Sequence, residues 1–211
     1  MADEVLTERR DRVLLITLNR PKAKNSVNSA LAAALLKAIE ELDSDDGLSA
    51  GVLTGADGGF SAGMDRKPPE PEQQVGSPGS DRERRWLGQL GRRACQAIED
   101  CDVVTIARIH GHAIGGGCCF ALACDFRVAT ESSLLRVPEV DLGIPLTWGA
   151  AARLIHEIGA ARAREVLLLC EDIPASKAEA WGMVNRVVPE EELDASVAAL
   201  ADKIVAKPEL A

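Results

Sequence analysis

The sequence lacks a basic surplus. Its 24 lysines and arginines are outnumbered by 33 aspartates and glutamates, for a formal net charge of −9, which argues against nucleic acid or an anionic membrane as the main partner. It lacks an apolar run long enough to span a bilayer, and its first residues lack the basic start and apolar core of a secretory signal, so the expected compartment is the cytoplasm. The six cysteines lack the spacing of a secreted disulfide framework; they lie mostly in apolar, helix-like segments, and Cys95, Cys101 and Cys170 read as reduced core residues. Gapped Cys and His ligand spacing is also missing, since Cys118 and Cys119 are adjacent, and no metal site is expected. What is present, 211 residues that are 46% hydrophobic with mixed charge, suits one globular domain spanning residues 1–211.

The stretch that organises the chain is Ala107 to Asp125. An apolar, β-branched run from Val103 to Ile109 predicts a buried strand, and Cys118 to Ala123 predicts a buried helix. Between them stands Gly115-Gly116-Gly117, where the missing side chains let ligand atoms approach peptide N–H groups. The helix that follows turns its positive end to the same spot, so strand, glycine turn and helix start form a site for negative charge, either on a phosphate or developing on an oxygen. Phosphate binding of the P-loop kind is disfavoured, because Cys118-Cys119 stands where Lys and Ser or Thr are required.

Strand and helix signals alternate along the chain, which argues for an α/β arrangement. Val13 to Asn19 reads as a strand closed by Arg20-Pro21; Ser29 reads as the N-cap of a helix ending near Ser44, and Ser49 to Thr54 as the next strand. Phe60 to Asp65 repeats the cluster of small residues at a strand end. Lys67 to Ser80, with four prolines, predicts a mobile surface loop. A helix from Asp81 carries Trp86, Leu90, Ala94, Ala97 and Ile98 on one face. Short strands at Phe126 to Ala129, Leu134 to Val137 and Val184 to Val188, a helix at Ala150 to Ile158 and an amphipathic helix at Glu190 to Lys207 complete the pattern.

Three motifs in order, Phe60-Ser61-Ala62-Gly63-Met64-Asp65, Ala107 to Asp125 and Pro138-Glu139-Val140-Asp141-Leu142-Gly143, together with Asn19-Arg20-Pro21, resemble the crotonase superfamily of enoyl-CoA hydratases and isomerases. The resemblance implies a repeated ββα spiral core with flanking helices, and an acyl-CoA thioester as substrate, coenzyme A being part of that substrate and no further cofactor needed. It implies that the backbone N–H groups of Met64 and Gly116 hold the enolate oxygen, with Ala62, Gly63 and Gly115 lining the substrate site and Glu139 acting as base. Two fixed donors at a dry helix terminus suit that task.

The acid and base residues depart from the family pattern. Hydratases of the family usually carry a second glutamate just after the glycine run, where this chain has Cys119. One glutamate resembles the isomerases, in which a single carboxylate takes and returns a proton, and that reading is slightly favoured over hydration. Asp141, two residues on, would share a face with Glu139 in an extended segment and is a candidate second acid, with a structural role as the alternative. His110 and His112 would share one side of a strand end, with His112 at the acyl pocket by the family match. Trp148 falls where the family has small glycines and reads as a pocket wall that shortens or redirects the acyl group. The alternative is a family member that binds acyl-CoA without efficient catalysis. Relatives continue past the position of Leu210 through further helices, so this chain is expected to expose apolar surface, to hold CoA more weakly, and to assemble as a homotrimer or a dimer of trimers.

Overall fold

The structure, a computed structural model, describes residues 3–65 and 80–207. Nearly all of the proline-rich stretch expected to be a mobile loop lies outside them. The strands form two sheets. The larger holds β1 (Val5–Arg10), β2 (Val13–Leu18), β3 (Ala50–Gly55), β4 (Val104–Ile109), β6 (Phe126–Thr130) and β9 (Arg186–Val188) in that spatial order. The smaller holds β5 (His112–Ile114), β7 (Leu134–Arg136) and β8 (Ile173–Pro174). Apart from the β1–β2 hairpin, all pairs of the large sheet are parallel.

The ββα spiral is visible in how the chain visits both sheets. From β4 it crosses to β5 and then enters α4 (Gly116–Ala123); from β6 it crosses to β7 and then enters α5 (Ala150–Leu169). The turn begun by β3 does the same less regularly: Ser61 bridges Ala113 beside β5, and α2 (Asp81–Gly88) and α3 (Leu90–Glu99) follow. Along the parallel strands successive residues face opposite sides. Val52, Ile106 and Val128 meet Leu193, Val197 and Leu200 of α7 (Leu193–Val205), while Leu53, Ala107 and Ala129 join the main core with α1 (Ser29–Ser44), α3, α4 and α5. A short α6 (Ala175–Trp181) precedes β9. No helix among the described residues is long and apolar enough to cross a membrane.

Several boundaries differ from the sequence expectation for local reasons. Asn28, not Ser29, caps α1, its side chain accepting the Leu31 N–H at 2.8 Å. The helix from Asp81 starts behind a Ser80 and Glu83 capping box but breaks at Gln89, so Trp86 does not share the buried face of α3 and is 43% exposed. The helix beginning at Ala150 passes Ile158 and kinks at Gly159 before ending at Leu169. The six cysteines are free, all buried except the half-buried Cys101.

Candidate active site

The segment Phe60 to Asp65 lies against the start of the glycine stretch, and its amides are satisfied almost one by one. Phe60 donates to the His110 carbonyl, Ser61 to His112, Ala62 to Lys24, Gly63 to the Ser61 hydroxyl and Asp65 to Val27. Among the described residues the Met64 amide alone in this run meets no acceptor. The run is pinned from outside: Arg20 Nη1 pairs with Asp65 Oδ2 at 2.9 Å, and the buried Asn25 donates through Nδ2 to the carbonyls of Ala56 and Gly59. Sequence reasoning gave neither a supporting role; Arg20 entered it only as part of the Asn19-Arg20-Pro21 match, and Asn25 only as a residue of the loop before α1.

On the facing side, Ile114 donates to Ser61 and Gly115 to the Arg136 carbonyl at 2.8 Å, after which α4 begins and the Gly116 amide is left without an acceptor among the described residues. Unpaired amides at a helix start are the rule, but here each glycine meets a different neighbour. An ideal Cβ on Gly115 would lie 3.1 Å from Glu139 Oε1, one on Gly116 2.4 Å from the Trp148 ring, and one on Gly117 2.6 Å from Ser61 Cβ. Gly63 is fixed in the same way. It adopts a φ of 83°, which only glycine takes without strain, and a Cβ there would come within 2.5 Å of the Ile114 carbonyl and 3.3 Å of the Gly116 nitrogen. Both free amides therefore border one space.

That space is a cavity of about 100 Å³, lined by Ala62, Gly63, Met64, Gly115, Gly116, Cys119, Glu139 and Trp148 among others. The aliphatic walls Ile114, Leu142, Ile144 and Leu146 were not anticipated from sequence. Glu139 reaches the cavity because β7 pairs with β5 and the Gly115–Arg136 bond carries the pairing to the Pro-Glu motif. Its Oε2 is buried without a hydrogen-bond partner among the described residues, and burial raises its pKa above the ordinary carboxylate value. Such a carboxylate is a good proton acceptor held in reserve. Cys119 faces the same cavity, but burial pushes its thiol up to about 12, with the nearby Glu139 charge adding to the effect. It is a neutral wall, not a thiolate nucleophile.

Two expected residues stand elsewhere. Asp141 does not share a face with Glu139, because residues 138–144 form a tight turn: Leu142 donates to the Pro138 carbonyl and Ile144 to that of Glu139. Asp141 is absent from the cavity lining and pairs on the surface with Arg136 at 3.2 Å. His112 lies outside the cavity as well, its ring packed on Gly59, where a Cβ would come 2.5 Å from Cε1. Burial lowers its pKa. The two histidines part because Gly111, at a φ of 61°, ends one strand direction and begins another. His110 instead meets Arg108 Nη1 at 3.1 Å. Among the described residues no three His, Cys, Asp or Glu are grouped to hold a metal.

The family model described as Enoyl-CoA hydratase/isomerase matches residues 8–211. The short-chain-enoyl-CoA hydratase of Clostridium acetobutylicum is 33% identical over 99% of this chain and 78% of its own length. Among solved structures, an enoyl-CoA hydratase from Bacillus anthracis is similar with a TM-score of 0.86 at 30% identity, over 98% of this chain and 78% of the other. A monofunctional enoyl CoA isomerase from M. smegmatis is similar with a TM-score of 0.81 at 30% identity, over 99% and 88%. With the spiral, the two neighbouring amides and the half-buried glutamate in place, the chain belongs to the enoyl-CoA hydratase/isomerase family of enzymes.

Proposed function

We propose that the cavity binds the acyl end of an acyl-CoA thioester and moves a proton along it, as an isomerase of 3-enoyl to 2-enoyl esters. The observation that carries this reading is a carboxylate beside two amides that find no acceptor among the described residues: Glu139, whose Oε2 is buried without a partner among them, next to the N–H groups of Met64 and Gly116. Glu139 takes a proton from the carbon next to the thioester carbonyl, and the electron pair spreads to the carbonyl oxygen and the adjacent double bond. The two amides hold that developing oxygen charge; losing one such donor typically costs about 2.7–4 kcal/mol. Glu139 then returns the proton two carbons further on. Among the described residues the cavity lining offers no second carboxylate, and Cys119 keeps its proton, so the exchange runs through Glu139 and needs no cofactor beyond the CoA carried by the substrate.

The relatives named as hydratases support a second reading, hydration of a 2-enoyl ester, with Glu139 both activating the water and delivering its proton. The conjugated thioester absorbance separates the two. A rise with a 3-enoyl-CoA is isomerisation, and a fall with a 2-enoyl-CoA is hydration. No change with either ester, while both bind, makes the protein an acyl-CoA binder. The reading extends to cytoplasmic location and to a homotrimer or dimer of trimers, supported for assembly by Ile155, Leu168 and Leu169 exposed along α5. Light scattering that gives a folded monomer at micromolar concentration rejects the assembly.

A further inference from the structure

Trp148 separates two cavities. The reaction cavity of about 100 Å³ lies on one side, and a second of about 230 Å³ lies on the other, with Val27, Ala32, Leu87 and Leu90 among its apolar walls. Met64 and Trp148 line both. The indole is clamped between two helices: an ideal Cβ on Gly91 of α3 would lie 2.0 Å from its Cζ2, and one on Gly116 of α4 2.4 Å from its Cζ3. Phe120 stacks on it, with ring centroids 5.6 Å apart and planes at 25°. Its carbonyl accepts Arg153 Nη1 at 2.7 Å, and the same guanidinium is ion-paired with Glu99 through Nη2. The wall is thus built from four sides before any ligand arrives.

We infer that Trp148 sets the acyl-chain length, confining the enzyme to short tails and closing off the second cavity, whose walls are mostly apolar with Asn28, Ser29 and Asp65 as its polar members. This rests on the acyl-CoA reading above. A dry cavity of about 150 Å³ accepts benzene, so about 100 Å³ holds a tail of roughly four carbons. Each methylene accepted or refused by an apolar pocket changes affinity about 10-fold to 200-fold. A tail of eight carbons meets the indole edge, and replacing the indole joins the two spaces.

The test is calorimetric binding of butyryl-CoA and octanoyl-CoA to the parent, Trp148→Ala and Trp148→Leu, each first checked for folding by circular dichroism. Leucine keeps apolar volume against Phe120 and serves if alanine does not fold. The parent is expected to prefer butyryl-CoA at least tenfold, and the variants to shift the ratio toward octanoyl-CoA at least tenfold. A parent that binds the two equally overturns the inference, whatever the variants do. So does an unchanged ratio in a folded variant. Binding of neither ester to the parent rejects the acyl-CoA reading itself, a different outcome from either.

Discussion

Replacing Glu139 with glutamine keeps the side-chain shape and removes the proton acceptor. Its effect on rate follows from what else lines the cavity. The other titratable wall, Cys119, has a thiol pushed up to about 12, so at pH 8 only about one molecule in ten thousand carries a thiolate there. Among the described residues no replacement base lines the cavity at useful occupancy, and turnover should fall by the full contribution of a positioned base, about 10²–10⁴-fold. Stability should move the other way. Because burial raises the Glu139 pKa, the folded chain binds its proton more tightly than the unfolded chain does. As pH rises from the ordinary carboxylate value of 4.5 through the raised one, this residue therefore removes stability, and the loss persists at neutral pH. Glutamine does not titrate. The variant should melt no lower than the parent at pH 7.5, and its relative stability should improve on going from pH 4 upward. The kcat/KM of the parent should have an acid limb with its midpoint above 4.5, since the base must be ionised. Conversion of 3-enoyl-CoA and 2-enoyl-CoA, binding of butyryl-CoA and thermal melts across pH measure all of this. Activity within threefold of the parent, or a melting point several degrees lower at pH 7.5, would show that Glu139 is structural and refute the reasoning.

Cys119→Glu places a second carboxylate beside Glu139 and should raise the ratio of hydration to isomerisation at least tenfold by product analysis; an unchanged ratio rejects the idea that the missing acid limits water addition. Asn28→Ala removes the acceptor of the Leu31 amide and should cost about 0.5–2 kcal/mol in urea denaturation, whereas Ser29→Ala should cost almost nothing; equal losses would reject Asn28 as the cap. Gly91→Ala should destabilise the parent, because its Cβ meets the indole, yet be neutral or stabilising by up to about 1 kcal/mol in a Trp148→Leu background. Melting curves of the four combinations decide that, and the same effect in both backgrounds would remove the Gly91 contact from the account.

The parts legible from sequence were those where one local signal dominates. The apolar runs of β2, β3 and β4 needed only hydrophobicity and β-branching, and three glycines between a strand and a helix announced a close approach of backbone. β1 was illegible because Val5–Arg10 lies at a sheet edge and is mostly exposed, so its side chains carry no burial pattern. β7 was legible as the short run from Leu134, but β5 is only three residues, too short for periodicity, and its pairing with β7, which carries Glu139 to the glycine turn, left no local signal. Asp141 and His112 were misplaced for one reason: alternation presumes an extended chain, and a tight turn at residues 138–144 and a positive φ at Gly111 break it. Trp148 lines the cavity, and its clamping between Gly91 and Gly116 brings together positions far apart in the chain.

The spiral brings one cavity-lining residue from each of three successive turns: Met64 from the turn begun by β3, Gly116 from that begun by β4, and Glu139 from that begun by β6. Met64 and Gly116 each lie three residues beyond the bridged pair Ser61 and Ala113, and each follows a glycine at positive φ, Gly63 or Gly115, where the chain leaves its extended path. Those two bends, one per coil, set where the adjacent amides stand. The position of each N–H is therefore written in backbone, and the side chain at position 64 takes no part in it.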